Sequence, residues 1–119
     1  MATRTPTLQD ALLDQKLYTW PGLLNGDDGA GAPHVGAGDR TIQVLGTFGV
    51  GGTIIAEGSL NGVDWFPLRD PSSTAISFTA AGGRAILENV AFVRPRVTGG
   101  DGTTSLTAIL MTRRTGSGF

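Results

Sequence analysis

The stretch GTFGVGGT, Gly46 to Thr53, has the glycine spacing of a phosphate-binding loop, G-x-x-x-x-G-K-T, but carries Gly52 where that loop needs lysine. A phosphate loop must also run from a strand into a helix, whose first amides hold the anion. Here the preceding segment RTIQVLGTF alternates, with Ile42, Val44 and Phe48 on one side and Thr41, Gln43 and Thr47 on the other. The following segment, TIIAEGSL, places β-branched residues directly after the last glycine. The loop therefore joins strand to strand. It reads as a hairpin connection, and no nucleotide site is expected in it.

Outward from this loop the same texture continues to the end of the chain. After the turn NGVD come WFPL, AISFTA, RAILEN, FVRPRVT and SLTAILMTRR, separated by AAGG and GGDGT. Glycine, asparagine and aspartate at these breaks tolerate the positive φ of tight connections. About seven or eight short strands at intervals of about ten residues predict an all-β sandwich or jelly roll over residues 40–119. In FVRPRVT, Arg94 and Arg96 alternate with Val93, Pro95 and Val97, which puts both arginines on an outward face. Pro95 also predicts an edge strand, because proline has no amide to donate to a ladder. In SLTAILMT, Leu106, Ala108 and Leu110 face one way and Ile109 and Met111 the other, so this strand needs cover on both faces.

Residues 1–39 read differently. TLQDALLDQKL suggests a short helix capped by Thr7, with Leu8, Leu12 and Leu13 on one face. KLYTWPGLL is an apolar, strand-like patch, and NGDDGAGAPHVGAGD is almost entirely turn formers. The whole segment is expected to be an extended N-terminal arm, a short helix or strand followed by a glycine-rich loop.

Composition narrows the function. The 119 residues fit one domain, and the formal net charge of -1 offers no basic excess for nucleic acid. There is no cysteine, so disulfides and thiolate metal sites are excluded. No stretch of the N-terminus is apolar enough for a signal peptide or membrane span, and no membrane partner is expected. Charged residues are only 16% of the chain, against about 25% in ordinary domains. So little charge suits a protein that spends its life inside an assembly.

Catalytic chemistry is hard to assemble from what remains. The single histidine, His34, lies in the Gly/Pro tract without a second histidine or a cysteine to share a metal. Asp27, Asp28 and Asp101 stand in glycine turns, where aspartate caps its own backbone, and NGDDGAG lacks the ligand ladder of a calcium loop. Glu57 and Glu88 fall on different predicted strands. Neither enzymatic activity nor a cofactor or metal is expected. Of nine basic residues only Lys16 is lysine; the planar forks of Arg94, Arg96, Arg113 and Arg114 suit carboxylates on a neighbouring subunit. Trp20 and Tyr18, with Leu12 and the terminal Phe119, are the expected apolar anchors for a partner.

EGSLNGVDWFPL and RAILENVAFVRPRVTGGDGTTSLTAILMTRR carry a resemblance. Gly58-Ser59, Asn61-Gly62, Trp65 and Leu68 match the form GS-x-DG-x-x-W-x-x-L, with asparagine in the place of aspartate. Phe92, Arg94, Pro95 and Val97-Thr98-Gly99-Gly100 match a later Y/F-x-R-P-x-V-T-G-G. Over residues 40–114 the chain resembles small β-sandwich virion proteins of tailed bacteriophages. The resemblance implies a capsid decoration or cement protein, made in the host cytoplasm and carried on the capsid surface. Its partners would be the major capsid protein and itself, as a dimer or trimer. The same features occur in discoidin-like jelly rolls, so the alternatives are a glycan-binding module, with Trp65 as a sugar platform, or a minor head or tail component.

Overall fold

A computed structural model describes residues 2–12, 15–33 and 39–113, with the backbone alone for 9–12. Along the chain come β1 (Thr3–Arg4), β2 (Thr7–Leu12), β3 (Gln15–Leu23), β4 (Asp28–Gly29), β5 (Asp39–Thr47) and β6 (Thr53–Ser59). Then follow β7 (Phe66–Pro67), β8 (Ser77–Phe78), β9 (Gly82–Ala85), β10 (Phe92–Gly99) and β11 (Ser105–Arg113). They build two sheets. A six-stranded sheet has the order β1-β4-β10-β6-β7, with β8 also paired to β6; a five-stranded sheet has the order β2-β3-β11-β5-β9. All pairs are antiparallel except β1 with β4. The all-β sandwich is thus the fold. The alternation seen in the sequence supplies its core: Ile42 and Val44, Ile54 and Ala56, Val93 and Val97, and Leu106, Ala108 and Leu110 are all buried between the sheets.

The described residues before Asp39 do not stand off as a separate arm. They contribute β1 and β4 to one sheet and β2 and β3 to the other. TLQDAL is a strand, not a helix, and pairs with β3 from Thr7↔Thr19 to Leu12↔Gln15. β3 in turn pairs along β11 from Arg113↔Gln15 to Leu106↔Leu23. Tyr18 and Trp20, expected as exposed anchors, are 2% and 0% exposed. The physical reason lies in the period. Tyr18 and Trp20 alternate with Leu17 and Thr19, so both aromatics enter the core together. A ten-residue helix has little stability of its own, and two sheet ladders outweigh its local preference.

Trp20 is also fixed by its polar edge. Its indole N–H donates to Ala30 O at 3.0 Å, and the Tyr18 hydroxyl donates to Pro33 O at 2.6 Å. Residues 29–33 of the turn-forming tract therefore fold over the two rings. Gly29 is required at that crossing, since a Cβ there would lie 2.5 Å from Trp20 Nε1 and 2.6 Å from Pro95 Cδ.

This packing also explains a second departure from expectation. Pro95 is not on an edge strand, because β10 lies between β4 and β6. Val93 N donates to Ala32 O and Val97 N to Asp27 O, so the amide position of Pro95 points toward the β4 side as well. There β4 is only two residues long, and the bare Gly29 makes room for the proline ring.

The opening glycine loop does run from strand to strand, without a helix, yet it is not a hairpin. β5 belongs to the five-stranded sheet and β6 to the six-stranded one, so residues 48–52 turn the chain from one sheet into the other. The loop between β10 and β11 makes the return crossing beside it and clamps it. Asp101 accepts from Val50 N at 2.8 Å, and Thr104 Oγ donates to Phe48 O at 2.8 Å. Gly49 and Gly51 have φ of +71° and +73°, the left-handed region that glycine enters without strain. The hydroxyl of Thr103, then the amides of Val50 and Thr103, lower the Asp101 pKa to about 2.

Two predictions follow from these contacts. Trp20→Ala should cost about 3–5 kcal/mol in chemical denaturation, the range for removing a fully buried large aromatic; an exposed anchor would cost almost nothing. A depressed folded-state pKa stabilises above the unfolded value and loses that contribution as pH falls. The stability gap between wild type and Asp101→Asn should therefore be full above about pH 4 and close as pH falls toward about 2.

Candidate functional site

The outward side of the six-stranded sheet carries Arg94 and Arg96, two of the four arginines singled out for polar contact. Glu57 on β6 stands opposite Arg94 on β10, in register. Arg94 Nε donates to Glu57 Oε1 at 3.0 Å, its Nη2 lies 2.9 Å from the same oxygen, and its Nη1 lies 3.5 Å from Asp28 Oδ2. Arg96 reaches Glu57 Oε2 at 3.4 Å. The Arg94 guanidinium also lies over the Trp65 ring, with 4.2 Å from Cζ to the ring centroid, a cation–π contact. Arg94 and Arg96, expected to seek carboxylates on a neighbouring subunit, thus find them on their own chain. Arg113 does the same on the other sheet, donating to Asp39 at 2.7 Å.

The two aspartates of the turn tract are also engaged. Asp27 accepts from Ala2 N, Leu24 N and Arg4 Nε at 2.9–3.0 Å, and Asp28 accepts from Thr3 Oγ at 2.7 Å. Burial acts to raise the Asp27 pKa, but the hydrogen bonds from Leu24, Arg4 and Ala2 outweigh it and leave it below the ordinary value. These carboxylates hold β1 to the sandwich. Glu88 is likewise held by Arg69, at 2.8 Å. Among the described residues no three acidic or histidine side chains are grouped to hold a metal ion. A shallow hollow of about 400 Å³ beside the end of the five-stranded sheet is lined by Arg40, Pro71, Ile86, Met111 and the closed Asp39–Arg113 pair.

The resemblance motif builds a different feature. Residues 60–65 close the hairpin between β6 and β7, which pair at Gly58↔Phe66. Ser59 Oγ accepts from Asn61 N and Gly62 N at 3.2 and 2.8 Å. Asn61 Oδ1 accepts from Val63 N and Asp64 N at 2.8 and 2.9 Å, and its amide donates to Asp64 at 3.0 Å. Gly62 has φ +77°, as a tight asparagine–glycine turn requires. The result is a stiff turn that displays apolar side chains: Leu60 is 71% and Val63 76% exposed, beside the partly exposed Phe66. Trp65 sits on the rim of this end. One ring face is covered by Arg94, and its edge abuts Gly31, where a Cβ would come within 2.7 Å. That leaves the ring poorly placed as a platform for a sugar.

Of the residues expected to bind a partner, Tyr18 and Trp20 are core, and Arg94, Arg96 and Arg113 form intrachain ion pairs. Leu12 falls in β2 with its backbone alone described, while His34, Arg114 and Phe119 lie outside the described residues. Leu60 and Val63 were missed. Their signal was in the sequence, as two large apolar residues flanking Asn61-Gly62 where a turn has no core to fill.

No family model matches the chain, and no curated protein does. Among solved structures it is similar to a protein from Neisseria meningitidis, with 11% identity over 91% of this chain and 81% of that one, at a TM-score of 0.44.

The ion network generates a contrast. Arg94→Ala would strand Glu57 and Asp28, 5% and 6% exposed, without their shared cation. It should cost about 3 kcal/mol in denaturant unfolding. Arg96→Ala, at the half-exposed end of the network, should cost about 1 kcal/mol or less.

Proposed function

We propose that this chain is a structural virion protein of a tailed phage, a capsid decoration or cement protein that docks on the major capsid lattice. The reading draws on the resemblance over residues 40–114. The observation that carries it is the apolar tip at Leu60 and Val63, which occupy unspecified positions on the turn that the resemblance motif builds. Soluble domains scatter single apolar residues over their surfaces, but two on one rigid turn form a preorganised plug. Rigidity matters because the turn's hydrogen bonds already fix its backbone, so docking has less conformational freedom to remove. Seating the tip in an apolar depression of a capsid subunit would contribute about 1.5–3 kcal/mol per side chain. Repetition over a lattice multiplies a modest single contact, and shell rupture must then break the contacts together. The self-neutralised charges of the six-stranded sheet fit this role, because they bring no unpaired charge to the shell.

The test is co-sedimentation of the purified chain with heads, from the phage that encodes it, that lack this protein. Wild type should saturate the heads at many copies each. Leu60→Asp with Val63→Asp should weaken binding at least about 100-fold while leaving thermal unfolding unchanged. Wild type that ignores heads, or a doubly substituted chain that binds as tightly, would contradict the reading.

A further inference from the structure

The outward face of the five-stranded sheet is unlike that of its partner sheet. The register brings Leu17 beside Met111, Ile109 between Thr19 and Gln43, and Leu45 beside Thr107. Side chains alternate along each strand, so these residues share the face away from the core. Leu17, Met111, Ile109 and Leu45 therefore run as a diagonal apolar stripe from β3 across β11 to β5. Leu17, Ile109 and Met111 are part-buried and Leu45 is 40% exposed, although among the described residues no layer lies over them. Around the stripe stand Thr7, Thr19, Thr41, Gln43, Thr47 and Thr107. Among the described side chains the charges on this face are Asp39 and Arg113, which neutralise each other at one end.

We infer that this face is a self-association surface on which two copies of the chain stack back to back about a two-fold axis. Three properties select a second copy as the occupant. First, threonine hydroxyls and glutamine amides both donate and accept, so the face can satisfy an identical face turned against it. A charged surface would instead demand a partner of opposite sign. Second, an apolar centre within a polar, uncharged rim has the anatomy of a protein interface, and stacking it buries no unpaired charge. Third, the size fits. Three central strands of nine residues with two shorter edge strands cover about 24 Å by 30 Å, or about 700 Å², from the usual strand spacing and rise. A standard interface takes about 800 Å² from each partner. Stacked sheets lie about 10 Å apart, close enough for Ile109, Met111 and Leu17 to meet their symmetry mates. The inference goes beyond capsid docking, because it uses the opposite sheet from the charge network and does not involve the 60–65 turn.

Sedimentation velocity on the purified full chain, without capsids, tests it. Wild type should be dimeric at about 100 µM and dissociate on dilution, as for a Kd in the micromolar range. Gln43→Glu sets a like charge into both copies at an exposed position that leaves the core untouched. It should raise the Kd at least about 100-fold with an unchanged circular dichroism spectrum, and Ile109→Lys should do the same. The Leu60→Asp, Val63→Asp chain should remain dimeric. A wild type that stays monomeric at about 100 µM, or a dimer that both face variants leave intact, would overturn the inference. So would a dimer lost only in the tip variant.

Discussion

Trp20 is the pin of the sandwich. Its ring is fully buried between the sheets, its N–H is bound to Ala30, and the backbone passes over it at Gly29 with no room for a Cβ. Pro95 packs on that same glycine, which lets a proline stand inside a sheet where it would otherwise break the ladder. One aromatic side chain thus couples β3 of one sheet to β4 and β10 of the other. Pairing between strands is local to each sheet; this contact, with the rest of the buried core, joins them. Without it β3 would keep its ladder with β11, and β1 its carboxylate contacts, but β3 would lose its pin to β4 and β10.

A second constraint follows from low charge. With few ionic groups available, nearly every described carboxylate is spent inside the chain. Asp27 and Asp28 hold the N-terminal strand, Glu57 holds Arg94 and Arg96, Glu88 holds Arg69, and Asp101 holds the glycine loop. Among the described residues, the surfaces proposed for partners are neutral: a stiff apolar turn at one end and a threonine-rich face on one side. On the proposed reading such surfaces would recognise by shape and burial, with little steering by charge.

The strand pattern from Arg40 onward was legible because period-two alternation is local, and β5, β6, β10 and β11 fall where it placed them. Three things were not legible, each for a non-local reason. Leu8 and Leu12 fit a helical spacing as well as a strand, and only the ladder with β3 decides between them. Gly46–Thr53 announces a turn, but whether a turn closes a hairpin or crosses between sheets depends on which strands pair. Pro95 reads as an edge signal unless one knows that Gly29, 66 positions earlier, comes to lie beside it. At the surface the arginines were placed correctly on an outward face, while their carboxylate partners, 37 and 39 residues away in the case of Glu57, were invisible.

The strands β1 to β4 belong to the same folded unit as the rest of the sandwich. Amide hydrogen exchange resolved by residue tests it most directly, because protection reports which segments open together. The amides of Tyr18 to Leu23 that are bonded into the ladder, and the Trp20 indole N–H, should exchange as slowly as those of β5 and β11. Rapid exchange of residues 15–23 while β5, β10 and β11 stay protected would contradict it, and would return that segment to the status of a loose arm.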